Sequence, residues 1–180
     1  MRVIAGEFRS RRLISPPGLE ARPTPDRLRE SLFNILAPRI EGVVFADCYA
    51  GCGAVGIEAL SRGASRAVFI ERNPACARVI ESNLASFGLA ARARVIRGGV
   101  TTYLRGIEAG IYFLDPPYEA AREYEAALAI LGERSGHPVV IAQHSKHHSP
   151  GEAYGNLRRR RTVRQGDNCL SFYETTWTES

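Results

Sequence analysis

From Val43 onward, apolar runs and amphipathic stretches alternate along the chain. Val43-Val44-Phe45-Ala46 predicts a buried strand ending in Asp47 and a glycine-rich turn. A helix is expected from about Ala54, with Ile57, Ala59 and Leu60 facing inward. Arg66-Ala67-Val68-Phe69-Ile70 predicts a second strand that ends at Glu71. Asn73 is a helix cap, Pro74 suits the first helical position, and Gly88 suits the exit. Three further strands are expected at Ala93-Arg94-Val95-Ile96, Ile111-Tyr112-Phe113-Leu114 and Val139-Val140-Ile141-Ala142. The second of these leads into Asp115-Pro116-Pro117-Tyr118 and then a helix rich in alanine and glutamate. Late in the chain, a basic segment and the strand-like Cys169-Leu170-Ser171-Phe172-Tyr173 predict an antiparallel pair. Strands alternating with helices indicate an α/β fold around a parallel sheet.

The first forty residues follow a different pattern. Arg2 to Ile14 reads as two short strands joined by a turn, and Ser15-Pro16-Pro17-Gly18 interrupts further pairing. A hairpin of that size has no core of its own, so it is expected to be an arm packed on the main domain. The division expected is an arm over residues 1–20 and a domain over 21–180. The next helix has Thr24 as its cap, Pro25 at its first position and Asp26 against its positive end. Leu28, Leu32, Ile35 and Leu36 form its apolar face, leaving Arg22, Arg27 and Arg29 near the start or on the polar side.

Composition narrows the function classes. The chain has 180 residues, enough for one compact domain, and is 44% hydrophobic. It has no apolar run long enough to span a membrane and no secretory signal pattern, so a cytoplasmic location is expected. The net charge is +5, and Lys146 is the single lysine among 24 basic residues. Arginine's planar fork suits phosphate, which makes nucleic acid a reasonable partner. Cys48, Cys52, Cys76 and Cys169 lack the paired spacing of a zinc site and read as reduced cysteines. His144 and His147 have usable spacing but no further ligand pattern, and His137 and His148 add none, so no metal is expected.

Asp47-Cys48-Tyr49-Ala50-Gly51-Cys52-Gly53-Ala54-Val55-Gly56 places an acid beside a Gly-x-Gly turn at a strand exit. Gly51 and Gly53 let the backbone pass close to a ligand. Glu71, at the end of the next strand, is positioned to accept from the ribose hydroxyls of an adenosine. The motif also fits NAD; the alternative is S-adenosylmethionine, with its methionine part at the glycine turn and Asp47 acting indirectly. Asp115-Pro116-Pro117-Tyr118 favours the second, because its prolines remove competing amide donors. Asp115 and the Pro116 carbonyl can then accept from an exocyclic amine, and Tyr118 offers a flat surface to a base. Attack by Cys48 or Cys52 is the weaker route, since both lie in the expected cofactor loop. Asn34 and Tyr49 either line the site or support local structure.

These residues together resemble the bacterial 16S ribosomal RNA guanine-N2 methyltransferase family. The resemblance runs through Arg2-Val3-Ile4-Ala5-Gly6, Arg11-Arg12-Leu13, Arg22-Pro23-Thr24, Asp26-Arg27-Leu28-Arg29-Glu30 and Leu32-Phe33-Asn34. It continues through Gly56 to Ala64, Asp115-Pro116-Pro117-Tyr118 and Gly166-Asp167. It implies a Rossmann-like class I methyltransferase fold, with a seven-stranded, mostly parallel sheet, an antiparallel C-terminal strand and an N-terminal β-hairpin arm. It implies S-adenosylmethionine as cofactor, held by Asp47, Tyr49, Gly51, Gly53, Glu71 and Gly99, and transfer to a guanine N2 by Asp115, Pro116 and Tyr118. The substrate implied is 16S rRNA in an assembled or nearly assembled small subunit, and the state implied is a monomer. Gly99 stands where the family often has an acid for the adenine amine, and Cys52 where it commonly has serine. Backbone contact or weaker cofactor affinity is expected at Gly99.

Arg9, Arg11 and Arg12 on the arm, Arg22 and Arg27 before and in the first helix, and Arg158, Arg159, Arg160 and Arg161 near the C-terminus are the expected RNA contacts. An amino methyltransferase for DNA adenine or protein glutamine shares the acceptor logic and stays open. So does a noncatalytic RNA-binding relative.

Overall fold

A computed structural model describes residues 1–16, 24–117 and 120–175. Arg22 and Tyr118, both expected in the site, lie outside the described residues. Eight strands form one sheet: β1 (Val44–Cys48), β2 (Arg66–Glu71), β3 (Ala93–Arg97), β4 (Ile111–Leu114), β5 (Val139–Ser145), β6 (Ala153–Tyr154), β7 (Leu157–Gln165) and β8 (Asn168–Thr175). Their order is β3-β2-β1-β4-β5-β8-β7-β6. The first five run parallel; β8 adds antiparallel to β5, β7 antiparallel to β8 and β6 antiparallel to β7. The α/β fold expected from the alternating pattern is the fold observed, with the two-residue β6 bringing the strand count to eight.

The helices are α1 (Asp26–Leu36), α2 (Ala54–Ser61), α3 (Pro74–Ser86), the short α4 (Val100–Tyr103) and α5 (Ala121–Gly132). The parallel strands β1, β4 and β5 are largely apolar on both faces because helices cover both. Phe45, Ile111, Phe113 and Ile141 pack with Leu28, Leu32 and Phe33 of α1, while Tyr112, Leu114 and Val140 pack with Tyr124 and Leu128 of α5. Asn73 caps α3 as expected, accepting from the amides of Ala75 and Cys76. Among the described residues, no helix is long and apolar enough to cross a membrane.

Three details depart from the sequence reading. The arm is an antiparallel turn with a single bridge pair, Arg2 with Arg12, rather than two strands. Much of its backbone turns instead to α2: the amides of Ile4 and Ala5 donate to Glu58 at 2.8 and 3.0 Å, and that of Phe8 to Ser61 Oγ at 3.0 Å. Val3, Phe8 and Leu13 are buried beneath it, so the arm packs on the domain as its size requires. At α1, Pro25 takes the cap position with no side-chain cap, and the Thr24 hydroxyl donates to Gln143 Oε1 at 3.0 Å. Arg29 is fully buried rather than on the polar side. It donates to Asp26, to the Arg2 carbonyl and to Met1 Sδ.

Candidate functional site

Parallel strands that share one direction end along one edge, where ligands bind in such sheets. The C-terminal ends of β1, β2 and β4 bring Asp47, Glu71 and Asp115 to that edge. After β1 the backbone turns sharply: Tyr49, Gly51 and Gly53 have φ of 65°, 58° and 79°. That left-handed region costs glycine little and a tyrosine appreciably. Tyr49 is held there in part by its hydroxyl, which donates to Glu123 Oε2 at 2.7 Å.

Asp47 is 2% exposed and accepts from the Gly56 amide at 2.8 Å, so it braces the start of α2 against β1. Burial, with Asp115 and Glu71 nearby, pushes its carboxyl well above the ordinary carboxylate range. A side chain at Gly56 would meet the Phe69 ring at 2.3 Å, which is why α2 sits this close to the sheet. Glu71 reaches back over the turn. One carboxylate oxygen accepts from the Gly51 amide at 2.8 Å and the other from the Asn73 amide at 2.7 Å. A Cβ at Gly51 would meet nothing within 4 Å, so the turn is open on that side. Gly99 caps α4, beyond the end of β3.

The acceptor turn follows β4. Asp115 is half-buried, and its amide approaches the Cys48 carbonyl at 3.4 Å, which ties the two strand ends together. Pro116 is buried. The Tyr124 hydroxyl makes its short bond, 2.6 Å, to the Gln143 carbonyl and lies 3.4 Å from that of Pro116. The Pro116 carbonyl thus keeps most of its accepting capacity. Asp47, Tyr49, Gly51, Gly53 and Glu71 come together with Asp115 and Pro116 at one edge; of the two remaining expected partners, Gly99 follows the neighbouring β3 and Tyr118 is outside the described residues.

Burial raises the thiol pKa of both Cys48 and Cys52, which keeps them protonated and poorly nucleophilic. His144 is buried, with Nε2 2.8 Å from Ser171 Oγ. Among the described residues, no group of three or more His, Cys, Asp or Glu residues converges in a way that could hold a metal ion.

Sequence reasoning missed Asn83. It is fully buried on α3, and its Oδ1 accepts from the Ile14 amide at 2.8 Å. Its Nδ2 donates to the carbonyls of Ile14 and Cys52 at 3.0 and 3.2 Å. One side chain therefore joins the arm to the glycine turn. The signal was an asparagine amid the apolar positions Ile80 and Leu84.

The expected basic contacts separate into two groups. Arg9, Arg12 and Arg27 are exposed on the side of α1–α3, and Arg11 stacks on Phe87 at 4.1 Å while donating to the Ser86 carbonyl. Arg158 to Arg161 lie on β7, four strand positions from β1.

A family model described as conserved hypothetical protein 95 matches residues 1–174. The "Putative rRNA methyltransferase YlbH" of Bacillus subtilis (strain 168) is 32% identical over 97% of this chain and 98% of its own. The chain belongs to this ribosomal RNA methyltransferase family. Another relative is the "Ribosomal RNA small subunit methyltransferase D" of Escherichia coli (strain K12), 43% identical over 66% of this chain and 60% of its own. Among solved structures, the "Putative methyltransferase yhhF" of Escherichia coli superposes with a TM-score of 0.86 at 33% identity, covering 97% of both chains. An RNA methyltransferase from Salinibacter ruber in complex with S-adenosyl-L-homocysteine shares the fold, with a TM-score of 0.68 at 19% identity over 88% of this chain and 98% of its own.

Proposed function

We propose that this chain transfers a methyl group from S-adenosylmethionine to the N2 amine of a guanine in 16S ribosomal RNA, within an assembled or nearly assembled small subunit. The observation that carries the reading is the convergence of Glu71, the open glycine turn and the Asp115-Pro116 turn at one sheet edge. The names borne by the relatives favour ribosomal RNA over DNA or protein as the acceptor.

The residues present fit the cofactor. Glu71 stands at the strand end suited to ribose hydroxyls, and the space beside Gly51 accommodates the amino-acid part. Asp47 and Tyr49 hold the turn's shape. Gly99 has no side chain to meet the adenine amine, so contact there falls to the backbone. When bound, S-adenosylmethionine supplies an electrophilic methyl group. The protein's part is to present the amine in line with it. Asp115 and the Pro116 carbonyl accept the two amine hydrogens, orient the nitrogen and stabilise the positive charge that develops there. Tyr118 stacks on the base, a contact worth roughly 1–3 kcal/mol in nucleic-acid binding. Arg9, Arg11, Arg12 and Arg27 are proposed contacts to the RNA backbone on the arm side, and Arg22, outside the described residues, is proposed as a further contact.

The test is transfer of labelled methyl to unmodified small subunits, with free 16S RNA, DNA and protein as competing acceptors. Label at guanine N2, lost in Asp115→Asn while cofactor binding persists, is the expected result. Label in DNA or protein, with none in RNA, overturns it.

A further inference from the structure

β8 runs antiparallel to β5, with Asn168 opposite Ser145. The β7–β8 turn therefore lies at the same sheet edge as Glu71 and Asp115. Climbing toward that edge, β7 reads Leu157-Arg158-Arg159-Arg160-Arg161-Thr162-Val163-Arg164-Gln165, with a register shift between Arg159 and Arg161. Such a bulge re-aims side chains. Beside β7 lies an open groove of about 470 Å³, lined by Lys146, Arg159, Arg160, Arg161, Thr162 and Arg164 with buried His144 and Cys169.

The cations of this region are not equivalent. Arg159 pairs with Glu152 and donates to Ser149 Oγ at 2.6 Å. The Arg158 guanidinium donates to the carbonyls of Gly155 and Leu157, and does not line the groove. Lys146 pairs with Asp167 at 2.5 Å. Arg160 and Arg161 are exposed and form no ion pair among the described residues. Among the described residues Arg164 donates only Nε, to the Gly166 carbonyl at 3.2 Å, and its terminal nitrogens are the part offered to a ligand. Arg160 to Arg164 spans about 13 Å along the strand, and three strand steps of about 14 Å in total separate β7 from β4.

We propose that this groove is a phosphate track, in which Arg160, Arg161 and Arg164 take the RNA backbone of the strand whose base reaches Asp115. Arg158 and Arg159 hold the hairpin instead. The groove is lined by guanidinium forks and a lysine, and its one carboxylate, that of Glu152, is paired with Arg159; this cationic excess suits phosphodiesters better than an apolar protein surface. The proposal rests on RNA being the substrate.

Binding of a short single-stranded RNA is measured against salt for the wild type, Arg161→Gln/Arg164→Gln, and Arg66→Gln/Arg94→Gln. The last pair removes the same charge from the opposite end of the sheet. The slope of log affinity against log salt is expected to fall by about 1.4 in the groove variant, at about 0.7 per phosphate on a single strand, and to stay unchanged in the control. Arg159→Gln is expected to lower the melting temperature and leave the slope alone. Equal slopes in wild type and groove variant overturn the track, as does an equal loss in the control. Methyl incorporation is followed in parallel. If the groove variant loses slope while wild type labels no RNA, the groove stands as an RNA-backbone site, and the methyl-transfer reading falls together with delivery of a base to Asp115.

Discussion

Replacing Glu58 by glutamine tests how the arm is held. Glu58 lies in the middle of α2, all eight residues of which are buried. Its Oε1 accepts from the Ala5 amide at 3.0 Å and from Arg62 Nε at 2.7 Å. Its Oε2 accepts from the Ile4 amide at 2.8 Å and lies 4.0 Å from Arg29 Nε, a buried nitrogen with no hydrogen-bond partner among the described residues. Every group around this carboxylate is a donor. A glutamine conserves the volume but must point an NH2 at one backbone amide and one guanidinium. One orientation forfeits two hydrogen bonds to a charged acceptor and the other forfeits one, each worth about 1.5–3 kcal/mol. It also withdraws one of the two counter-charges of buried Arg29, Asp26 being the other, and breaking a buried pair outright costs about 3–5 kcal/mol. These are overlapping views of one loss, so the expected destabilisation is about 3–5 kcal/mol. For a chain of this length that corresponds to a fall of roughly 6–20 °C in melting temperature. Urea denaturation gives the stability, and hydrogen exchange at Ile4 and Ala5 reports arm docking. A loss below about 1 kcal/mol with both amides still protected would refute the reasoning. Because Ile14 is clamped separately by Asn83, its amide should keep its protection under native conditions in the variant.

Three further outcomes follow from the same geometry. Glu71→Ala is expected to weaken S-adenosylmethionine binding at least tenfold, because it removes the ribose acceptor and frees the amides of Gly51 and Asn73; calorimetric titration giving wild-type affinity contradicts this. Gly56→Ala drives a methyl into the Phe69 ring, so a loss of about 1–3 kcal/mol is expected in denaturation, and no loss shows that α2 moves away freely. For Asp47 the folded pKa is raised, so the native state holds a proton that the unfolded chain releases above about 3.8. Stability from this group is therefore present at low pH and declines as pH rises from 3.8 toward the raised value. Asp47→Asn keeps an acceptor for Gly56 and removes that decline, so its denaturation midpoint should gain on wild type as pH rises; parallel curves would show that Asp47 is ionised in the fold.

The strands were legible because helices cover both faces of the parallel sheet, leaving Phe45, Phe69 and Phe113 in unbroken apolar runs. The turn residues of the site were legible for a related reason: Gly53, Asn73 and Pro74 fix the backbone locally, wherever the rest of the chain goes. Long-range polar partners were not. Thr24 reads as a cap from its neighbours, yet its hydroxyl is taken by Gln143, 119 positions away. Arg29 follows the same logic. Counting from it, Leu32, Phe33 and Leu36 fall at three, four and seven positions, which puts the arginine on the apolar stripe. A periodic reading that expects charge to face water passes over it. The arm was over-regularised because its sequence shows alternation but not that α2 would supply the acceptors.

What positions the cofactor turn is therefore partly outside the turn. Asparagine offers one acceptor oxygen and two donor hydrogens, and Asn83 uses all three, two with Ile14 and one with Cys52. A fully satisfied buried amide has no second arrangement of comparable energy, since rotating it would oppose donor to donor at Ile14 and leave the Cys52 carbonyl without its donor. The carbonyl between the two loop glycines is thus fixed by the same group that fixes the end of the arm. Glu58 and Ser61 anchor the beginning of that arm to α2, the helix into which the glycine turn leads. The end of the arm and the turn share Asn83, so displacement of the arm at Ile14 has to disturb the glycine turn as well. The arm thus contributes to the shape of the glycine turn, the proposed cofactor site, whether or not its arginines touch RNA.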